Sequence, residues 1–250
     1  MNLDFTKEPL IHSTMDQTFY VDATNGDDNN NGSSTNPFKT IKKACDSVPV
    51  GGVGLIYLIN GQTYNMPIDD DIVLKNKIIQ FLAKDFDSDD PDYSSTNPPK
   101  IFITKKNNGT SSKFLMINSV LYIGGFGRGI LIEDDSSLGS DAFLWAYIDL
   151  NNANTGINSD NYFVVSNSQI KLNKVYLGNN IMKVFLKKSK IVVDTSNISY
   201  LFNILWCNFA VSEITLNDTS GNNLDIKNYV SGIVKDSNGV TRNIISNIVF

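Results

Sequence analysis

The sequence predicts an all-β chain, a solenoid of stacked coils closed at one end by one short helix. Three observations carry this. Acid is supplied almost wholly by Asp, 23 residues against three Glu (Glu8, Glu133, Glu213), and Asn is common while Gln is scarce. Asp and Asn hydrogen-bond their own backbone and tolerate left-handed conformations, so they favour turns and oppose helix interiors. Short apolar, alternating segments recur along the chain at intervals near 20 residues, the signature of a repeat architecture. A single segment has apolar residues at helical spacing, and strands follow it.

The elements follow in order. Thr18–Val21 are strand formers and "DATNGDDNNNGSSTN" is a loop. Asn36 and Pro37 are placed as helix cap and first turn. Phe38, Ile41, Ala44, Cys45 and Val48 then give one apolar face, ended by Pro49 and the glycines at 51, 52 and 54. "LIYLIN" is a strand and "GQTYN" a turn. A lone amphipathic helix here is expected to cover the open apolar end of stacked strands.

Strands are expected at "NSVLYI", "WAYIDL", "NSQIKL", "KSKIVV" and "CNFAVS". Their inward candidates Leu121, Ile148, Ile170, Ile191 and Val211 are spaced by 27, 22, 21 and 20 residues. Alternation adds Ile123, Leu150, Leu172 and Val193 to the same face. A second column follows in "ILIED", "VYLGNN", "NIS" and "ITLND". About seven coils at ~4.8 Å each give a rod on the order of 35 Å long. Asn118, Asn167, Ser119, Ser168 and Ser189 are candidates for side-chain ladders along it. "GGFGRG" (124–129) is read as a tight turn, and 83–100 as a long loop leaving an early coil. The organisation expected is a leader or attachment segment (1–17), a strand, loop and capping helix (18–54), the coils (55–221) and closing strands (222–250), with Asn238-Gly239 turning a hairpin.

The stretch "YVDATNGDDNNNG...NPFKTIKKA" followed by "GLIYLINGQTY" resembles the amino-terminal signature of the pectate-lyase-like superfamily, which phage tailspikes and tail fibres commonly carry. It covers residues 18 to 64. The resemblance implies a right-handed single-stranded parallel β-helix with a short N-terminal capping α-helix. It leaves chemistry open, because fold does not fix function.

Composition excludes several classes. No apolar run reaches the ~20 residues of a membrane span, so no membrane insertion is expected. No basic n-region precedes an apolar stretch. A net charge of −5 argues against nucleic acid. Cys45 and Cys207 give no disulfide framework and are read as core thiols. The single His12 lies before the coils, which removes nucleophile–histidine chemistry and a zinc site.

Carboxylates and aromatics remain. Asp85, Asp87 and Asp89, with Asp90 and Asp92, alternate as oxygen ligands for Ca2+ would, though a solvated acidic loop needs no ion; no other cofactor is implied. Asp69–Asp71 read as a turn. Glu133, Asp134, Asp135 and Asp141 are the catalytic candidates, since a carboxylate pair on a β-helix face could serve a glycosidase. A lyase would need a basic residue; Lys171 and Lys190 are expected to point outward, with sheet neighbours Tyr147, Asp149, Gln169 and Val192. Trp145, Tyr147, Tyr162 and Tyr176 are candidates for stacking on sugar rings.

The expectation is a phage or prophage tail-fibre or tailspike protein, located in the virion tail or on an extracellular surface. Its expected partners are host surface polysaccharide, other virion proteins and two further copies in a homotrimer. A polysaccharide lyase or hydrolase on the same scaffold is the alternative, and a bacterial surface adhesin a third.

Overall fold

The computed structural model describes residues 16–85, 97–139, 142–143, 161–179, 183–204 and 206–250. In chain order the elements are β1 (Asp16–Val21), α1 (Ile41–Ser47), β2 (Val53–Leu58), β3 (Thr63–Asn65), β4 (Ile72–Lys75), β5 (Ile78–Ala83) and β6 (Lys100–Ile103). Next come β7 (Phe114–Ile117), β8 (Val120–Gly124), β9 (Leu131–Asp134), β10 (Ala142–Phe143), β11 (Tyr162–Ser166), β12 (Gln169–Leu172) and β13 (Val175–Tyr176). The chain ends with β14 (Gly178–Asn179), β15 (Lys183–Val193), β16 (Phe202–Asn203), β17 (Cys207–Asp218), β18 (Val230–Ser231) and β19 (Ile244–Ser246).

All the named strands pair in parallel, and they do so in columns. The first column runs β1, β2, β5, β8, β11, β15, β17, β19. The second runs β3, β6, β9, β12, then the second halves of β15 and β17. Shorter pairs, β4–β7, β10–β13 and β14–β16–β18, form the remaining side. This is a parallel β-helix. Each strand's apolar side chains alternate inward, and only stacking buries them. Ile101, Ile132, Ile170 and Ile191 are at most 1% exposed and follow one another in register in the second column. Leu121, Phe163, Val184 and Phe209 do the same in the first.

The expected inward residues divide between two columns. Ile170 and Ile191 are stacked partners, and Leu172 and Val193 are as well. Leu121 and Val211 instead belong to the first column, where Val211 pairs with Leu186. Ile148 and Leu150 lie outside the described residues. Of the expected second column, "ILIED" and "ITLND" are in place, whereas Val175 and Tyr176 sit on the third side. The cause is that β15 and β17 turn a corner without a break. One residue in the left-handed region makes each turn: Lys188 (φ 44°) and Glu213 (φ 54°), in line with Asn167 (φ 52°) between β11 and β12. A spacing count cannot register a corner one residue long.

That corner also corrects the ladder. Asn167 stands there, while Asn118 (φ 48°) turns a different corner above Asn76 (φ 50°). The Ser hydroxyls are buried and bond backbone rather than one another. Ser168 accepts from Ile130 N–H at 3.2 Å and donates to the Ser166 carbonyl at 2.9 Å. Ser119 accepts from Lys77 N–H at 3.2 Å. "GGFGRG" is a turn as expected. Gly124 has φ 76°, and a Cβ there would meet the Ser166 carbonyl oxygen at 2.2 Å.

The helix starts later than Asn36-Pro37 implies. Phe38 is still extended: its N–H donates to the Tyr20 carbonyl at 3.0 Å, and its own carbonyl accepts from Asp22 N–H at 2.9 Å. Thr40 is the cap, accepting from Lys43 N–H at 3.1 Å. Asp28 fixes the approach by accepting from Lys39 N–H, Thr40 N–H and the Thr40 hydroxyl at 2.9, 2.9 and 2.8 Å. A seven-residue helix is unstable alone. It persists because Ile41, Ala44, Cys45 and Val48 are buried in the core cluster. At its C-terminal end Lys77 Nζ donates to the Cys45 carbonyl at 3.0 Å. At the far end Leu224, Tyr229, Ile233, Ile244, Ile248 and Phe250 pack on the same core, Phe250 edge-on to Phe209 at 5.7 Å. A hairpin with Gly239 in its turn projects from this end, bridged at Lys235 and Thr241. Both cysteines are free and buried, and burial pushes the Cys207 thiol up to about 12.

Candidate functional site

Alternation decides where the candidate acids point. Ile130, just before β9, and Ile132 within it precede Asp134 at two-residue steps, so Asp134 faces inward with them and is 3% exposed. It is satisfied there. One oxygen accepts from Asn173 N–H at 2.7 Å, and the other from the N–H groups of Lys174 at 2.6 Å and Val175 at 2.8 Å. Its job is to hold the corner of the next coil. Asp135 ends the strand and accepts from Ser137 N–H at 2.8 Å, a bond that leads in lowering its pKa below the ordinary carboxylate value. Asp141 lies outside the described residues. Glu133 and Asp134 therefore point to opposite faces of one strand and do not form a carboxylate pair across a groove.

Glu133 faces out, and it has company. In the second column the outward positions line up in two rows. One row is Thr63, Lys100, Leu131, Gln169, Lys190, Thr215; the other is Asn65, Phe102, Glu133, Lys171, Val192, Asn217. Lys100 Nζ lies 2.7 Å from one Glu133 carboxylate oxygen and Lys171 Nζ 3.8 Å from the other. The neighbours expected for the lysines are partly corrected. Gln169 and Val192 flank them as expected, but the strand beneath Lys171 is β9, which places Glu133 there. Leu131 and its partner Gln169 are 38 positions apart in sequence, so a count near 20 steps past that rung.

The aromatic candidates are mostly spoken for. Tyr176 is 7% exposed and stacks on Tyr200 at 4.1 Å, inside the third side. It is no open platform. Tyr162 is half-buried on the outward side of the first column, with Lys183 Nζ 4.0 Å over its ring and Phe185 stacked at 6.4 Å. Trp145 and Tyr147 lie outside the described residues. Among the described residues the open indole is Trp206, 56% exposed. Alternation would have found it, because it precedes inward-facing Cys207. Among the metal candidates, Asp85 donates its N–H to Asn60 at 3.0 Å, and Asp87 and Asp89 lie outside the described residues. Among the described residues no three metal-ligating side chains come together.

No family model matches the chain, and no curated protein is similar to it in sequence. Among solved structures, a rhamnogalacturonan lyase is similar over 88% of this chain, at 13% identity and a TM-score of 0.39. The chain spans 64% of the length of that enzyme's chain, and no residue's role is carried over from it.

Proposed function

We propose that the chain is a tail-fibre or tailspike-type structural protein that engages glycan on a host surface through the outward face of its second column. The observation that carries this reading is the pair of straight side-chain rows from β3 to β17. They offer Lys, Asn, Gln and Thr at fixed register beside Phe102. Polar hydrogen-bonding groups on a rigid sheet, with an aromatic among them, suit sugar hydroxyls and ring faces. The sheet costs little entropy on binding, because its side chains stand on a fixed backbone.

A lyase or hydrolase on the same scaffold is the second reading, favoured by Glu133 between Lys100 and Lys171, an acid beside two amines on an exposed face. Against it stands the engagement of Asp134 and Asp135 in backbone bonds. An array of bacterial capsular and cell-wall glycans tests the proposal. At least one is expected to retain the protein, and retention should fall when Phe102→Ala and Gln169→Ala are combined. Retention of none would contradict it.

A further inference from the structure

The chain is acidic, with a net charge of −5, yet residues 161–193 hold six lysines and no Asp or Glu. Folding brings four of them together. Lys187, Lys188 and Lys190 come from the corner of β15, and Lys171 from β12 directly beneath. Lys100 lies two strands farther down the same face. Among the described residues two acids share this surface: Glu133, held by Lys100 at 2.7 Å, and Glu213, which follows Lys188 in the corner stack. Among the described residues Lys187, Lys188 and Lys190 make no ion pair, and Lys190 is exposed. Segregating like charges costs folding energy that an ordinary solvated surface avoids by mixing signs.

We infer that this lysine face binds a linear acidic polysaccharide lying along the rod axis. The inference rests on the glycan-engaging reading above and names its substrate class. Successive strands are ~4.8 Å apart, so the ammonium groups stand in steps along the axis. A chain with repeated carboxylates or sulfates meets such a series better than one small anion does. Gln169 sits beside Lys190 on the neighbouring strand, and Thr215 and Asn217 stand on the strand beyond, as neutral partners for hydroxyls. The binding charges are lysines without Arg, compact ammonium groups on flexible stems, which tolerate varied anion positions rather than imposing a bidentate geometry.

The test uses the full chain, with polygalacturonate and hyaluronate as acidic probes, dextran as the neutral probe and duplex DNA as a competing polyanion. Binding to at least one acidic probe is expected at low salt and should vanish at molar salt, where charge is screened. Combining Lys187→Glu, Lys188→Glu and Lys190→Glu should weaken it at least tenfold. Lys227→Glu with Lys235→Glu, at the far end, should leave it unchanged. If the Glu triple does not fold, the same three positions changed to Gln give the reading. Equal binding by the triple and the control variants overturns the inference, and so does binding to DNA with no acidic glycan bound. Binding of dextran alone, unchanged in the triple variant, would overturn this inference and leave the glycan-engaging reading standing. Binding of no glycan at all would remove both.

Discussion

Asp218 accepts from the N–H of Ser220 at 2.9 Å, and Asp194 from that of Ser196 at 3.0 Å. Asp22, Asp135 and Asp236 make the same bond two residues on. A Glu, one methylene longer, closes this turn poorly, which favours Asp over Glu at these positions. The bonds favour the charged form. Asp194 is lowered first by the Ser196 hydroxyl, Asp218 by the Asn222 amide and Asp236 by Val240 N–H. Depressed carboxylates give stability that is present above the unfolded value of about 3.9 and is lost as pH falls through the folded values. The melting temperature should therefore hold from neutrality to about pH 5 and drop below about pH 4. A rise on acidification would contradict this. Asp134 differs from these exposed turns because it is buried and bonded to three backbone N–H groups. Asp134→Asn should cost roughly 2–4 kcal/mol, while Asp135→Asn should be nearly neutral because Asn closes the same turn. Comparing the two by urea unfolding checks this. Equal effects would mean that Asp134 is not the structural anchor described.

At the scale of elements, alternation was legible wherever a strand was unbroken. "ILIED" and "KSKIVV" place every side chain on its observed face. What the sequence hid were the corners and the insertions. Lys188 and Glu213 turn the chain without Gly or Pro to mark the place, so a spacing count groups Val211 with Ile170 and Ile191 although it pairs with Leu186 in the first column. Thr40 rather than Asn36 caps α1 because Phe38 is held in an extended pair with Tyr20, a tertiary contact that no local pattern records. Asp134 could have been read correctly from its two-residue step after Ile132. The register is testable within one strand. Ile191 is fully buried between Ile170 and Leu216, and Lys190 beside it is exposed. Ile191→Asp should prevent folding, since an unpaired buried carboxylate costs several kcal/mol, and Lys190→Asp should be tolerated. Equal melting temperatures for the two would refute the register.

On the scale of the whole molecule, the two ends and the sides have different fates. α1 covers the first coil, and the segment ending in Phe250 covers the last. On β2, β5, β8 and β11 the outward side of the first column is largely apolar, with Leu55, Ile78, Val120 and Tyr122 half-buried and Leu82 and Val164 at 3% and 8% exposure, while Lys183 and Lys187 stand on β15 beyond it. We propose that three copies pack through this side, which would present three second-column faces outward and raise avidity for a weakly held glycan. Light scattering on a folded sample should give three times the 27.7 kDa chain mass; a monomer at micromolar concentration would contradict the trimer. The central claim is that the rod holds glycan rather than cutting it. The direct measurement is the chain length of a retained glycan after prolonged incubation with the protein. The account predicts a glycan recovered at its original length. Shortened chains, with new reducing or unsaturated ends that depend on Glu133, would contradict it and make the chain an enzyme.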